Sequence, residues 1–162
     1  MGLAVKVYKN IKKIDQNSDD HDFIAYVDHH TWKDHIKNLE EGAKYVGECH
    51  GTDVGYSYST HTWFRNKLMS LVLDKEIDKF YEHIDSNLDM PFIEFINFSD
   101  CEGCIDWETS AKLYQDFIDW KERVIEEFPI KPVNIENKLF VQRYEAWMEV
   151  FELAKDNGVV VY

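Results

Sequence analysis

Residues 134–162, NIENKLFVQRYEAWMEVFELAKDNGVVVY, decide the fold class. Phe140, Tyr144, Trp147, Phe151 and Ala154 recur at steps of three and four, which places them on one face of a long amphipathic helix. Asn134 can cap its start, and Asp156-Asn-Gly158 is a stop signal. The run that follows, Val159 to Tyr162, reads as a strand. It is expected to pair with a strand of the N-terminal half. Helix and strand in immediate succession, with no βαβ repeat, point to an α+β domain.

Working back from that segment, Trp107–Phe128 carries a second apolar stripe through Leu113, Tyr114, Phe117, Ile118, Trp120, Val124, Ile125 and Phe128. One continuous helix is predicted there, capped by Asp106 and ended by Pro129. Phe64, Leu68 and Leu71 mark a further helix with Ser59 or Thr60 as its cap. Another is predicted over Lys75–Ser86, with Ile77, Phe80, Tyr81 and Ile84 inward. Phe92–Phe98 is apolar at nearly every step and is open between strand and helix.

In the N-terminal half, Leu3–Lys9 and Phe23–Val27 read as strands and Lys9–Asp22 as a loop. His29–Glu41 is ambiguous, and His29, His30 and His35 read as surface residues. Ala43–Tyr58 suits two strands turning near Gly51–Asp53. The expected architecture is a single domain, residues 1–162. A small, mainly antiparallel sheet of N-terminal strands plus the C-terminal strand is covered by three to four helices.

The composition narrows the function classes. Net charge is −13, and Asp74–Phe128 holds 16 acids against 5 bases. Such a field repels phosphate backbones, so nucleic acid is not an expected partner. No apolar run is long enough for a membrane span, and the first residues do not read as a signal peptide, so a cytoplasmic location is expected. The 3 cysteines do not suggest a disulfide framework.

Two stretches could carry chemistry. In the first, Tyr56, Ser57, Tyr58 and Ser59 precede His61 and Arg65 at a strand-to-helix junction, where the helix N-terminus favours an anion. His61 and Arg65, four apart, share a helix face. The second is Asn97 to Cys104, with Ser99, Asp100, Cys101 and Glu102 packed before Gly103. Cys101 and Cys104 have the spacing of a redox dithiol or half a zinc site. The thioredoxin-like context is missing, and Asp100 and Glu102 disfavour a thiolate at Cys101. Neither a metal nor a cofactor is therefore expected. Lys112 lies near the start of its helix, within reach of a ligand held by residues 99–102, and Asp116 is four residues on.

These strings resemble a family of bacterial and phage proteins that has no assigned activity. The resemblance rests on Gly-Tyr-Ser-Tyr-Ser at 55–59 with Trp-Phe-Arg at 63–65, and on Phe-Ile-Glu-Phe-Ile-Asn-Phe-Ser-Asp-Cys-Glu-Gly at 92–103. It also rests on Ser-Ala-Lys-Leu-Tyr-Gln-Asp-Phe at 110–117 and Phe-Glu-Leu-Ala-Lys-Asp-Asn-Gly-Val-Val at 151–160. It implies that Ser57, Ser59, Arg65, Ser99, Asp100, Cys101, Glu102, Gly103, Lys112 and Asp116 belong to the family pattern and that Cys104 does not. It carries no reaction.

The leading expectation is a protein that binds a small anionic, nucleotide-like molecule. Tyr56, Ser57, Tyr58, Ser59, His61, Arg65, Asn97, Ser99, Asp100, Glu102 and Lys112 would form the site. A phage-type counter-defence role, sequestering a nucleotide immune signal, is consistent with the family resemblance. A homo-oligomer is compatible with this reading. One alternative is a hydrolase or lyase acting on such a ligand, with Cys101, His61 and Glu102 as the reacting groups. The other is an acidic protein-interaction or DNA-mimic module.

Overall fold

A computed structural model describes residues 2–26, 36–98 and 102–162 of the chain. It is an α+β domain built on a five-stranded antiparallel sheet. The strands are β1 (Lys6–Lys13), β2 (Phe23–Ile24), β3 (Lys44–His50), β4 (Cys104–Asp106) and β5 (Val159–Val161), in the order β2-β3-β1-β5-β4. The expected C-terminal strand is present. β5 lies between β1 and β4, with Val160 opposite both Val7 and Ile105.

The sheet curls back on itself. Cys104 at the β4 edge donates its backbone N–H to the carbonyl of Tyr26, just past β2 at the opposite edge, at 3.0 Å. Both faces are covered, as the period-2 alternation of side chains requires. Val7, Ile105 and Val160 join the main core beneath the helices. Their neighbours Tyr8, Cys104 and Val159 point the other way, into a smaller core with Ile11, Phe23, Ala25 and Tyr45. There Phe23 stacks between Tyr8 and Tyr45, at 5.1 and 5.3 Å between ring centres.

The helical layer consists of α1 (Tyr58–Leu73), the single turn α2 (Ile93–Ile96), α3 (Trp107–Asp119), α4 (Lys121–Glu127) and α5 (Ile135–Ala154). Asp106 caps α3, accepting from Thr109 N at 2.9 Å, and Asn134 caps α5, accepting from Asn137 N at 3.0 Å. The face of α5 expected inward is buried throughout. Where α5 turns into β5, a Cβ on Gly158 would stand 2.8 Å from the Ala154 carbonyl and 2.9 Å from that of Tyr8. Only glycine fits this junction.

Several expected elements are different. β1 continues to Lys13 through an irregularity after Lys9, so the first part of the expected loop is strand. One strand, not two, lies between residues 43 and 58. Its expected partner segment meets residues 2–3 instead, with Leu3 N donating to Tyr56 O at 2.7 Å. The helix expected over 75–86 is a series of turns with one 3₁₀ turn, Phe80–Glu82. Side chains of α1 bind its backbone: Ser70 Oγ accepts from Ile77 N and Asn66 Oδ1 from Phe80 N, at 2.9 and 2.8 Å. The helix expected over 107–128 breaks at Trp120 into α3 and α4, and Ile118 and Ile125 of its expected stripe are exposed. β4 was not anticipated. The readings of Val27, His29, His30 and His35 fall outside the described residues.

Candidate functional site

Ser57, not Ser59 or Thr60, caps α1. Its Oγ accepts from Thr60 N at 3.3 Å and lies 2.9 and 2.8 Å from the hydroxyls of Ser59 and Thr60. Ser57 and Ser59 are exposed, Tyr58 is half-buried, and the first turn of α1 contains no acid. This is the electropositive end of a 16-residue helix, dressed with hydroxyls.

One turn inward the character changes. His61 is fully buried, and neither ring nitrogen has a hydrogen-bond partner among the described residues. Aromatic rings surround it: Phe95 edge-on at 5.4 Å, Trp147 at 5.6 Å and Tyr56 at 6.0 Å. Burial, then the guanidinium groups of Arg65 and Arg143, hold its pKa well below the usual histidine value. The imidazole is therefore neutral. A neutral imidazole keeps one donor and one acceptor, and buried groups of that kind take a partner when one is within reach.

Tyr56 is the outer wall of this cluster. Trp147 Nε1 donates to its hydroxyl, and the Arg143 guanidinium lies over its ring at 3.9 Å. Burial pushes its phenol up to about 12, against the opposing effects of Trp147 and Arg143. With its face covered by Arg143, Tyr56 has one fewer surface for stacking on a ligand than the sequence suggested.

Arg65 is buried as well. Its Nη1 donates to the carbonyls of Ile96 at 3.3 Å and Phe98 at 2.8 Å, and its guanidinium stands 4.2 Å over the ring of Phe80. It satisfies carbonyls at the end of α2 and so fixes the backbone that leads into residues 99–101. Asn97, half-buried, is the C-cap of α2. Ser99, Asp100 and Cys101 lie outside the described residues. Glu102 is exposed, and Gly103 follows with φ of 122°, a conformation that disfavours other residues there.

Lys112 occupies a separate cluster. Its Nζ meets Glu94 at 2.6 Å and Asp116 at 2.8 Å, while Asp116 also accepts from Phe92 N at 2.9 Å. The two clusters share α2: Phe95 faces His61 and Glu94 faces Lys112.

Tyr56 and His61 are neighbours and Arg65 lies one turn further along α1, but His61 and Arg65, expected to meet an anion, are buried, and Arg65 Nη1 donates to backbone carbonyls. Arg143 and Trp147 of α5 complete the cluster, and the sequence reading did not include them. A signal existed. Arg143 is one of only three arginines, and it sits beside Tyr144 in the buried series of α5. Among the described residues no group of three or more acids, cysteines or histidines is placed to hold a metal, and no helix is long and apolar enough to cross a membrane. No family model matches the chain, and neither does any curated protein or solved structure.

Proposed function

We propose that this protein binds a small anionic ligand at the corner formed by the α1 N-terminus, Tyr56 and Arg143. One observation carries the reading. In a chain of net charge −13 with three arginines, two of them converge on Tyr56 and His61. Arg143 has no carboxylate within ion-pair distance among the described residues. The hydroxyls of Ser57 and Ser59 and the acid-free first turn of α1 add donors beside it. A nucleotide-like ligand suits this set. Its phosphate would meet Arg143 and the helix end, and Tyr58 would offer a ring.

Retention is favoured over turnover. His61, the best acid–base candidate in the cluster, is sealed from solvent and held neutral. A protein that holds such a ligand without converting it would act by sequestration in the cytoplasm, for instance against a nucleotide immune signal. The test is to denature purified protein and identify released small molecules by mass spectrometry. Calorimetry with a panel of mono- and dinucleotides follows, on the wild type and Arg143→Ala. Intact ligand and loss of binding in the variant support the reading. Converted product moves it to an enzyme, and unchanged binding in Arg143→Ala overturns it.

A further inference from the structure

Helix α5 has two seams. The inner one, Phe140 to Ala154, is buried in the core. The outer one runs Ile135, Leu139, Gln142, Ala146, Glu149 and Leu153, again in steps of four and three. That is the spacing with which one helix receives another. The start of this seam is aliphatic and open: Ile135 is 80% exposed and Val133, in the linker just before it, 86%. Isolated exposed aliphatics need no explanation, but Ile130, Val133, Ile135 and Leu139 all fall within ten residues.

The rest of the seam floors a groove. A hollow of about 440 Å³ covers Leu139, Gln142 and Ala146, with Asp53 as its far wall. A smaller one of about 70 Å³ continues from Ala146 to Leu153 beneath the turn at Gly51–Asp53. The carboxylates of Asp53, Glu145 and Glu149 line it, and none is ion-paired among the described residues. The groove's cation, Arg143, is turned onto the Tyr56 ring.

We propose that the outer face of α5 is a docking groove for a basic amphipathic helix of a partner protein. Aliphatic side chains of that helix would cover Val133, Ile135 and Leu139, and its lysines or arginines would meet Asp53, Glu145 and Glu149. A second copy of this chain fits less well. It would bring the same three carboxylates and the same −13 charge against them. The groove shares Arg143 with the ligand corner, but none of the residues varied in its test belongs to that corner.

Three synthetic helical peptides test it by fluorescence anisotropy on the intact chain. One carries leucines at heptad spacing separated by lysines. The second replaces the lysines with glutamate, and the third replaces the leucines with serine. The Leu/Lys peptide is expected to bind at least about tenfold more tightly than either control. The double variant Ile135→Ser/Leu139→Ser and the variant Glu149→Lys are each expected to weaken it about tenfold, with the thermal midpoint unchanged. Absence of binding, equal binding of the Lys/Ser peptide, or undiminished affinity of Ile135→Ser/Leu139→Ser overturns the proposal. So does sedimentation showing a dimer that Ile135→Ser dissociates, since the groove is then covered by a second copy.

Discussion

The buried faces of α1 and of the α3–α5 pair solve the same packing problem with different chemistry. Between α3 and α5 the contact is apolar. In its buried part Phe117 meets Tyr144 at 4.7 Å and Phe151 at 5.8 Å, and the Tyr144 hydroxyl donates to the Phe117 carbonyl at 2.6 Å; at the exposed rim Tyr114 donates to Glu152 at 3.0 Å. The buried face of α1 includes His61 and Arg65 among Phe64, Leu68 and Met69. Apolar burial is non-directional and stabilises in proportion to area. A buried guanidinium stabilises only while its carbonyl partners stay in place, because losing them leaves desolvated polar groups behind. The α3–α5 seam is therefore a source of stability. The α1 face is a device for holding other backbone in position.

The comparison breaks first at Phe117. Replacing this fully buried ring, Phe117→Ala, is expected to lower unfolding free energy by about 3–5 kcal/mol in urea titrations. A loss below that of any α1 variant would reverse the ranking. Next comes Arg65→Ala, expected to cost about 2–3 kcal/mol through the stranded Ile96 and Phe98 carbonyls. Arg65→Lys should recover less than half: both bonds come from Nη1, one bond beyond the point a lysine nitrogen reaches, and the guanidinium face over Phe80 is lost. Full rescue by lysine would mean that charge alone matters there.

A pH series sharpens the contrast further. His61 in the folded chain stays neutral below the ordinary value of 6.5, whereas the unfolded chain takes up the proton. Its contribution is therefore intact above pH 6.5 and is lost as pH falls, with a slope of up to about 1.4 kcal/mol per unit. His61→Phe should remove that slope while substitutions in the α3–α5 seam leave it. An unchanged slope in His61→Phe assigns the acid sensitivity elsewhere. The smallest effect is expected at the helix start. Ser57→Ala should cost about 0.5–1 kcal/mol, read as a shift of the urea midpoint.

The same contrast explains what could be read from the sequence. Helix α5, its Asn134 cap, the Gly158 stop and strand β5 were legible because apolar spacing and end signals agree there. Lys75–Ser86 shows the limit. Ile77, Phe80 and Ile84 are buried as their spacing implies, but Tyr81 is exposed and the backbone is turned, because Asn66 and Ser70 bind the N–H groups a helix would use. Such side chain-to-backbone bonds leave no periodic trace. β4 was hidden for another reason. It has only three residues, and Cys104 drew attention as half of a Cys-x-x-Cys pair rather than as the inward residue of a strand. At the site, the spacing from His61 marked Arg65, but its carbonyl partners carry no signature in sequence. Arg143 lies far along the chain and is joined to Tyr56 only by the fold.

The position of β5 has a consequence for assembly. Among the described residues its three valines are the only ladder between β1 and β4, and the pairing of Lys6 with Val161 joins positions 155 residues apart. Until residue 161 is in place, β1, β2 and β3 form one fragment, and β4 has no ladder to it, only the Cys104–Tyr26 bond. The curl cannot close early, and chain entropy opposes so long-range a pairing until α5 has docked and carried β5 to its slot. Folding of this domain should therefore be slow for its size and gated by its last strand. An exposed β1 edge would then be a liability throughout synthesis.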